Sequence, residues 1–243
     1  MIDESSDLTH SAEDYLKAIY SLTERGDPAS TSKIAEALDV QPASVSGMIK
    51  RLAEAGLLQH VPYRGVQLTD EGSREALRVV RRHRVLETYL KARLGYSWED
   101  VHEEAERLEH AASDDLVDRM AAALENPRHD PHGAPIPTRQ GHIEPLGPGT
   151  LADVPVGEEV EIAAVRDDEA DALRYLEDRG LLPGVRLVVE ERAPLDGPLT
   201  VRAGGADGTA QTLGPELARR IYVRAFGGRP DPSGDRPEAS ARS

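Results

Sequence analysis

Residues 102–110 read His102-Glu-Glu-Ala-Glu106-Arg-Leu-Glu109-His110. On a helix advancing about 100° per residue, positions 102, 106, 109 and 110 share one narrow arc. Four imidazole or carboxylate donors on one arc are what a hard or borderline divalent cation needs. The glutamates alone would read as a solvated acidic face. The two histidines at the same spacing turn attention to metal. With no cysteine in the 243 residues, there is no disulfide framework, thiolate site or cysteine nucleophile.

Several elements must position this arc. Ser11-Ala-Glu-Asp14 reads as a capping box followed by apolar residues at Ala12, Tyr15, Leu16, Ile19 and Leu22, predicting a first helix from about Ala12 to Glu24. A short helix over 32–38, capped by Ser30 or Thr31, and a third opening at Pro42 and stopping near Gly56 follow. Two strand-like runs, 57–61 and 66–69, flank Pro62-Tyr63-Arg64-Gly65. Three helices and a hairpin are the layout of a winged helix-turn-helix. A long helix from Thr69 or Asp70 to about Leu94 carries Leu77, Val80, Leu86, Leu90 and Leu94. That stripe exceeds what one thin layer buries and points to a dimer. Ser97 to Asp100 forms another box before the acidic helix, and Ser113 caps a helix ending at Asn126-Pro127.

A Pro-, Gly- and His-rich linker spans 127–149. Short strands at 159–163, 185–190, 199–202 and 221–223, with one helix over 171–179, suggest a small SH3-type β-barrel. The fold class expected is therefore mainly α with a small β part. It comprises a winged helix-turn-helix domain over 1–73, a helical metal-binding and dimerisation domain with linker over 74–148, and an SH3-like domain over 149–226, with a disordered tail over 227–243. No apolar run approaches the roughly 20 residues that span a bilayer, and the N-terminus is not a signal peptide, so a cytoplasmic protein without membrane contact is expected. The net charge of −15 argues against nucleic acid as a partner. Between Pro28 and Thr69, however, Lys33, Lys50, Arg51 and Arg64 face only Glu36, Asp39 and Glu54, so the DNA-facing unit is near neutral or slightly basic.

Taken in order, these motifs resemble the metal-dependent repressors of the diphtheria toxin repressor family. The resemblance runs from Ser11 to Phe226. It rests on Glu-Asp14-Tyr-Leu, Arg-Leu-Ala-Glu-Ala-Gly-Leu at the end of the third helix, Tyr63-Arg64-Gly65, His83-Arg-Val-Leu-Glu87, the 102–110 segment and Pro131-His132-Gly133. Leu176 to Gly184 is similar to the family's C-terminal SH3-like domain.

The resemblance implies a primary site from Asp14, Glu106, Glu109 and His110, with His83 close by. Read without it, Asp14 is the carboxylate of the Ser11 box. An ancillary site is implied at His83 and Glu87, with His102, Asp130 and His132 as further ligands and Asp167 or Asp168 completing it. Iron-type members carry Met and Cys where this chain has Asp14 and Glu106. Oxygen and imidazole donors suit Mn²⁺ rather than softer metals. The resemblance thus places the chain in the manganese-responsive branch, with two ions per subunit and Fe²⁺ as the alternative. Small two-domain manganese members carry Glu where Lys17 stands, so their binuclear arrangement does not transfer whole.

Base-edge candidates at the start of the recognition helix are Gln41, Pro42, Ala43, Ser44, Ser46 and Gly47. Lys50, Arg51 and Arg64 are phosphate candidates, with Tyr63 beside them in the wing. Arg51 could instead pair with Glu54. The implied function is a homodimeric, Mn²⁺-activated repressor of manganese uptake genes on a palindromic operator. The rival of another class is a metalloenzyme whose carboxylate-rich site activates water. The absence of a Gly-rich or hydroxyl-bearing pocket motif speaks against it. A regulator with a small-molecule effector would leave the His/Glu constellation without purpose.

Overall fold

The computed structural model describes residues 8–24, 27–147, 149–166, 169–204 and 208–225. They form two compact units, divided after Pro145. The tail expected after Gly227, together with Asp167 and Asp168, lies outside the described residues.

In the first unit α1 spans His10–Thr23, α2 Thr31–Ala37 and α3 Pro42–Glu54. The start of α1 corrects the sequence reading. Thr9 is the N-cap and accepts from the Ala12 amide, because its hydroxyl reaches that orphan donor first. Ser11 and Asp14 are therefore inside the helix, and Asp14 has no capping role. Ser30 caps α2 through the Lys33 amide. Val45, Met48, Ile49 and Leu52 on α3 close over Leu16, Ile19 and Ile34 in one apolar core.

Strands β1 (Leu58–Val61) and β2 (Gly65–Leu68) pair antiparallel, from Leu58 opposite Leu68 to Val61 opposite Gly65. Tyr63, at φ 62°, is the fully exposed tip of this wing. Mutual backbone hydrogen bonds between Ala29 and Val66 fasten the wing to the segment before α2. The fastening needs Gly65, at φ 125°, where a Cβ would lie 2.1 Å from the Ala29 carbonyl oxygen.

Helix α4 (Asp70–Tyr89) is capped by Thr69 and widens into a π turn over Leu90–Leu94 before Gly95 reverses the chain. Leu77, Val80, Leu86 and Leu90 are buried within the single chain, leaving only Leu94 of the expected stripe exposed. The stripe is thus buried without a second subunit, with Leu86 and Leu90 packed against Val101, Ala105, Val117 and Ala121. Leu94, Tyr96, Leu108 and Leu116 are the exposed large apolar residues here.

Helix α5 runs Val101–Glu109 and α6 Asp114–Ala123. The Ser97 hydroxyl does bond Asp100, but in a turn preceding α5. Both helices pack on α4 through Val101, Ala105, Val117 and Ala121. The 127–145 segment is ordered: Trp98 Nε1 donates to the Pro131 carbonyl at 2.8 Å, and His129 pairs with Pro135.

The second unit holds β3 (Gly149–Thr150), β4 (Glu159–Val165), α7 (Ala170–Glu177), β5 (Arg186–Arg192), β6 (Leu199–Ala203), β7 (Ala210–Leu213), α8 (Pro215–Ala218) and β8 (Ile221–Ala225). Its six strands pair in the order β3-β8-β4-β5-β6-β7, an open sheet rather than a closed barrel. β3, β7 and α8 go beyond the sequence reading, each being too short to carry a periodic signal. Among the described residues no helix is long and apolar enough to cross a membrane.

Candidate metal centre

Five acidic or histidine side chains are buried among the described residues: His83, Glu87, Glu109, Asp130 and His132. All lie on or against α4 and α5. Burying that many ionisable groups is costly unless they are paired or hold a cation.

The first cluster joins α1 to α5. His110 Nε2 and Asp14 Oδ1 are 2.8 Å apart, and Glu109 lies within the same 4.8 Å group. Glu13, which sequence reasoning missed, accepts from His110 Nδ1 at 2.7 Å while Arg82 grips its other oxygen. A carboxylate on one imidazole nitrogen fixes the ring and leaves the other nitrogen as donor. The one local signal for Glu13 is that it is a second acid beside Asp14; its partner His110 lies 97 positions away. Burial pushes the Asp14 carboxyl above its ordinary range, and His110 only partly offsets this. Glu106 is not brought into the cluster: it is half exposed and lies 3.5 Å from Lys17 and 3.7 Å from His102.

The second cluster is His83, Glu87 and His102. Glu87 Oε1 is 2.9 Å from His83 Nε2 and 3.2 Å from His102 Nδ1. Burial would drive Glu87 up, but the His83 charge and bonds from His102, His132 and His83 hold it well below the ordinary carboxylate range. His83 runs against its burial in the same way: Glu87 and Glu109 raise it. Its Nδ1 meets Glu109 Oε2 at 2.6 Å, so the two clusters touch.

Glu87 also belongs to a third group, with Asp130 and His132. His132 Nε2 donates to the Trp98 carbonyl at 2.8 Å, which turns Nδ1 toward Glu87, 3.9 Å away. Asp130 Oδ1 accepts from the His132 and Ala134 amides and so builds the turn that holds the ring. The implied ancillary ligands thus fall into two triads sharing one glutamate.

The donor set fits a divalent cation. Each triad offers oxygen and imidazole nitrogen within 4.8 Å, and Glu87 Oε2 is buried without a hydrogen-bond partner among the described residues.

Along α3, its N-cap Gln41 and Pro42, Ala43, Ser44, Ser46, Gly47, Lys50 and Arg51 are all exposed. Nothing lies within 4 Å of where a Gly47 side chain would begin. Lys50, not Arg51, reaches Glu54, at 3.8 Å. In the wing, Arg64 reaches Asp27 at 2.8 Å.

Three family models match the chain. Residues 7–66 match the family described as iron dependent repressor, N-terminal DNA binding domain. Residues 69–138 match the iron dependent repressor, metal binding and dimerisation domain. Residues 149–225 match the FeoA domain. The iron-dependent repressor IdeR of Mycobacterium tuberculosis is 33% identical over 234 residues, covering 90% of this chain and 98% of its own. The diphtheria toxin repressor of Corynebacterium diphtheriae is 31% identical, over 83% of this chain and 92% of its own. A solved manganese-dependent transcriptional repressor in complex with manganese superposes with a TM-score of 0.82 at 40% identity, covering 88% of this chain and all of that one. The manganese regulator SloR gives 0.77 at 33% identity, covering 90% and 100%.

Proposed function

From the premise that the chain belongs to the diphtheria toxin repressor family, as a metal-dependent DNA-binding transcriptional repressor with a FeoA domain, we propose that Mn²⁺ is its activating ion. The observation that carries this reading is the buried, sulfur-free donor set of His83, Glu87, Glu109, Asp130 and His132, with Asp14 and His110 at its edge. Oxygen and imidazole donors suit Mn²⁺, and affinity order alone would not select it, so coordination number and geometry must.

Asp14, Glu109 and His110 form the primary site, with Glu106 entering from its exposed position beside them. Glu87 anchors the ancillary site with His83, His102, Asp130 and His132. A divalent ion on the primary ligands supplies two positive charges and a bond set that ties α1 to α5. Asp14 is the one primary ligand on α1, the helix packed beneath the recognition helix α3. Tying it to α5 fixes the DNA-binding unit against the helices that pair two subunits. A homodimer so fixed presents two α3 helices at the spacing of a palindromic operator, which we place before manganese uptake genes in the cytoplasm. Gln41, Ala43, Ser44 and Ser46 read base edges there; Lys50, Arg51 and Arg64 meet phosphates, and Tyr63 lies against the wing's groove.

An Fe²⁺-responsive reading is favoured by relatives named iron-dependent repressors, at 33–34% identity. The sulfur-free site speaks for Mn²⁺. Dialysis of the metal-stripped chain against each divalent metal, with metal content then measured, tests the choice. Two Mn²⁺ per chain are expected; retention of Fe²⁺ but not Mn²⁺ under anaerobic conditions would refute it.

A further inference from the structure

Lys17 stands one turn after Asp14 on α1 and has no part in the function just described. Its ammonium nitrogen is 2.9 and 3.0 Å from the two oxygens of Glu109 and 3.1 Å from His83 Nδ1. Glu106 Oε1 is 3.5 Å away. Donors from α4 and α5 thus surround one cation supplied by α1. The Lys17 side chain is 18% exposed and that of Glu109 1%, so the pair is largely withdrawn from water. The ammonium sits where the Asp14–Glu109–His110 group meets the His83–Glu87–His102 group.

A carboxylate as buried as Glu109 needs a countercharge, and without metal Lys17 supplies one to both of its oxygens, beside His83 at 2.6 Å. Burial pushes Glu109 up, and His83 and Lys17 together bring it below its ordinary range. A divalent ion held by Glu109 is a second cation on the same carboxylate. The two are drawn to the same oxygens and repel one another.

We infer that Lys17 is a built-in counter-cation of Glu109 that competes with the divalent ion and so raises the metal concentration at which the repressor engages. The inference rests on the primary site proposed above. It has a definite sign. Neutralising Lys17 strips Glu109 of its partner in the metal-free chain and removes the repulsion in the loaded one. Both effects favour metal. A purely structural tether, holding Glu109 in place between α1 and α5, has the opposite sign, because its loss would loosen a ligand.

The test is calorimetric titration of the metal-stripped full chain with MnCl₂ for wild type, Lys17→Met and Lys17→Arg, with thermal melts before and after. The binding phase that Asp14→Asn removes identifies the primary site. In that phase Lys17→Met should bind Mn²⁺ at least about tenfold more tightly, the scale of one charge pair in a half-buried setting. Its metal-free midpoint should fall and its Mn²⁺-induced rise should grow. Lys17→Arg, which keeps the charge, should stay within about threefold of wild type. If Lys17→Met does not fold without metal, Lys17→Gln is measured in the same way, and recovery of either fold by Mn²⁺ supports the inference. Unchanged or weaker Mn²⁺ binding by the neutral variants, with wild type binding normally, overturns it and leaves the primary site standing. A wild-type chain that takes up no Mn²⁺ overturns both.

Discussion

Asp14→Asn isolates the coupling between metal and DNA. The Asp14 side chain is 44% exposed and caps nothing, and its close polar contact among the described residues is His110, at 2.8 Å. Replacing a half-exposed carboxylate by its amide keeps the shape and weakens one charge-assisted hydrogen bond, worth about 1 kcal/mol or less in such a setting. A fold with about 5–15 kcal/mol in hand tolerates that loss. Metal binding does not tolerate it in the same way. Removing even an outer partner of a metal ligand costs about 10–100-fold in affinity, so removing a ligating carboxylate should cost at least about 100-fold at the primary site. The ancillary residues His83, Glu87 and His132 are untouched and should still hold an ion. The assay is fluorescence anisotropy on a duplex selected from a random pool in Mn²⁺, with MnCl₂ titrated at fixed protein. Size-exclusion chromatography and a thermal melt serve as controls. The variant should stay folded and keep the wild-type oligomeric state while its Mn²⁺ midpoint moves up at least about 100-fold. Operator binding with the wild-type Mn²⁺ dependence would refute the reasoning, because α1 would then be fixed by something other than this ligand.

Three further outcomes follow from the same structure. The double change Asp14→Met, Glu106→Cys supplies sulfur donors and should widen activation toward Fe²⁺ or Co²⁺; an unchanged profile across Mn²⁺, Fe²⁺ and Co²⁺ would put selectivity elsewhere, with Glu87 and its partners. Arg64→Ala releases a residue whose ion pair among the described residues is with exposed Asp27. It should weaken specific and non-specific DNA alike and lower the salt slope by about one, whereas a change in sequence preference alone would contradict a phosphate contact. The Arg78 hydrogen bond holds Asp114 below the ordinary aspartate range. Because the folded value is depressed, its stabilisation is present above the unfolded aspartate pKa and lost as pH falls through the folded one. Both partners are more than a third exposed, so Asp114→Asn should lower stability at neutral pH by less than about 1 kcal/mol and flatten the acid limb slightly. A steeper acid limb in the variant would contradict the assignment.

Much of this was legible in the chain, and the exceptions have physical causes. The period of Val45, Met48, Ile49 and Leu52 announced α3, and all four are buried. The 102–110 arc announced α5 and its donors, although Glu106 stays outside the primary cluster because Lys17 and His102 engage it. Thr9 was passed over as a cap since Ser11 completes an equally good box three residues before Asp14, and only the backbone decides between them. Glu13 and Lys17 escaped for a different reason. Their roles come from α5 and α4 packing against α1, contacts made across more than 60 positions of chain. The apolar stripe on α4 signalled burial but not the identity of the covering surface, which for Leu86 and Leu90 is α5 and α6 of the same chain.

We propose that a divalent ion on these carboxylates and imidazoles licenses DNA binding. Its most direct test is the affinity of the metal-stripped wild-type chain for its selected duplex in excess EDTA and in saturating Mn²⁺ at one fixed salt concentration. Tight, sequence-specific binding is expected in Mn²⁺ and only weak, salt-sensitive, non-specific binding in EDTA. Equal specific affinity in the two conditions would contradict it.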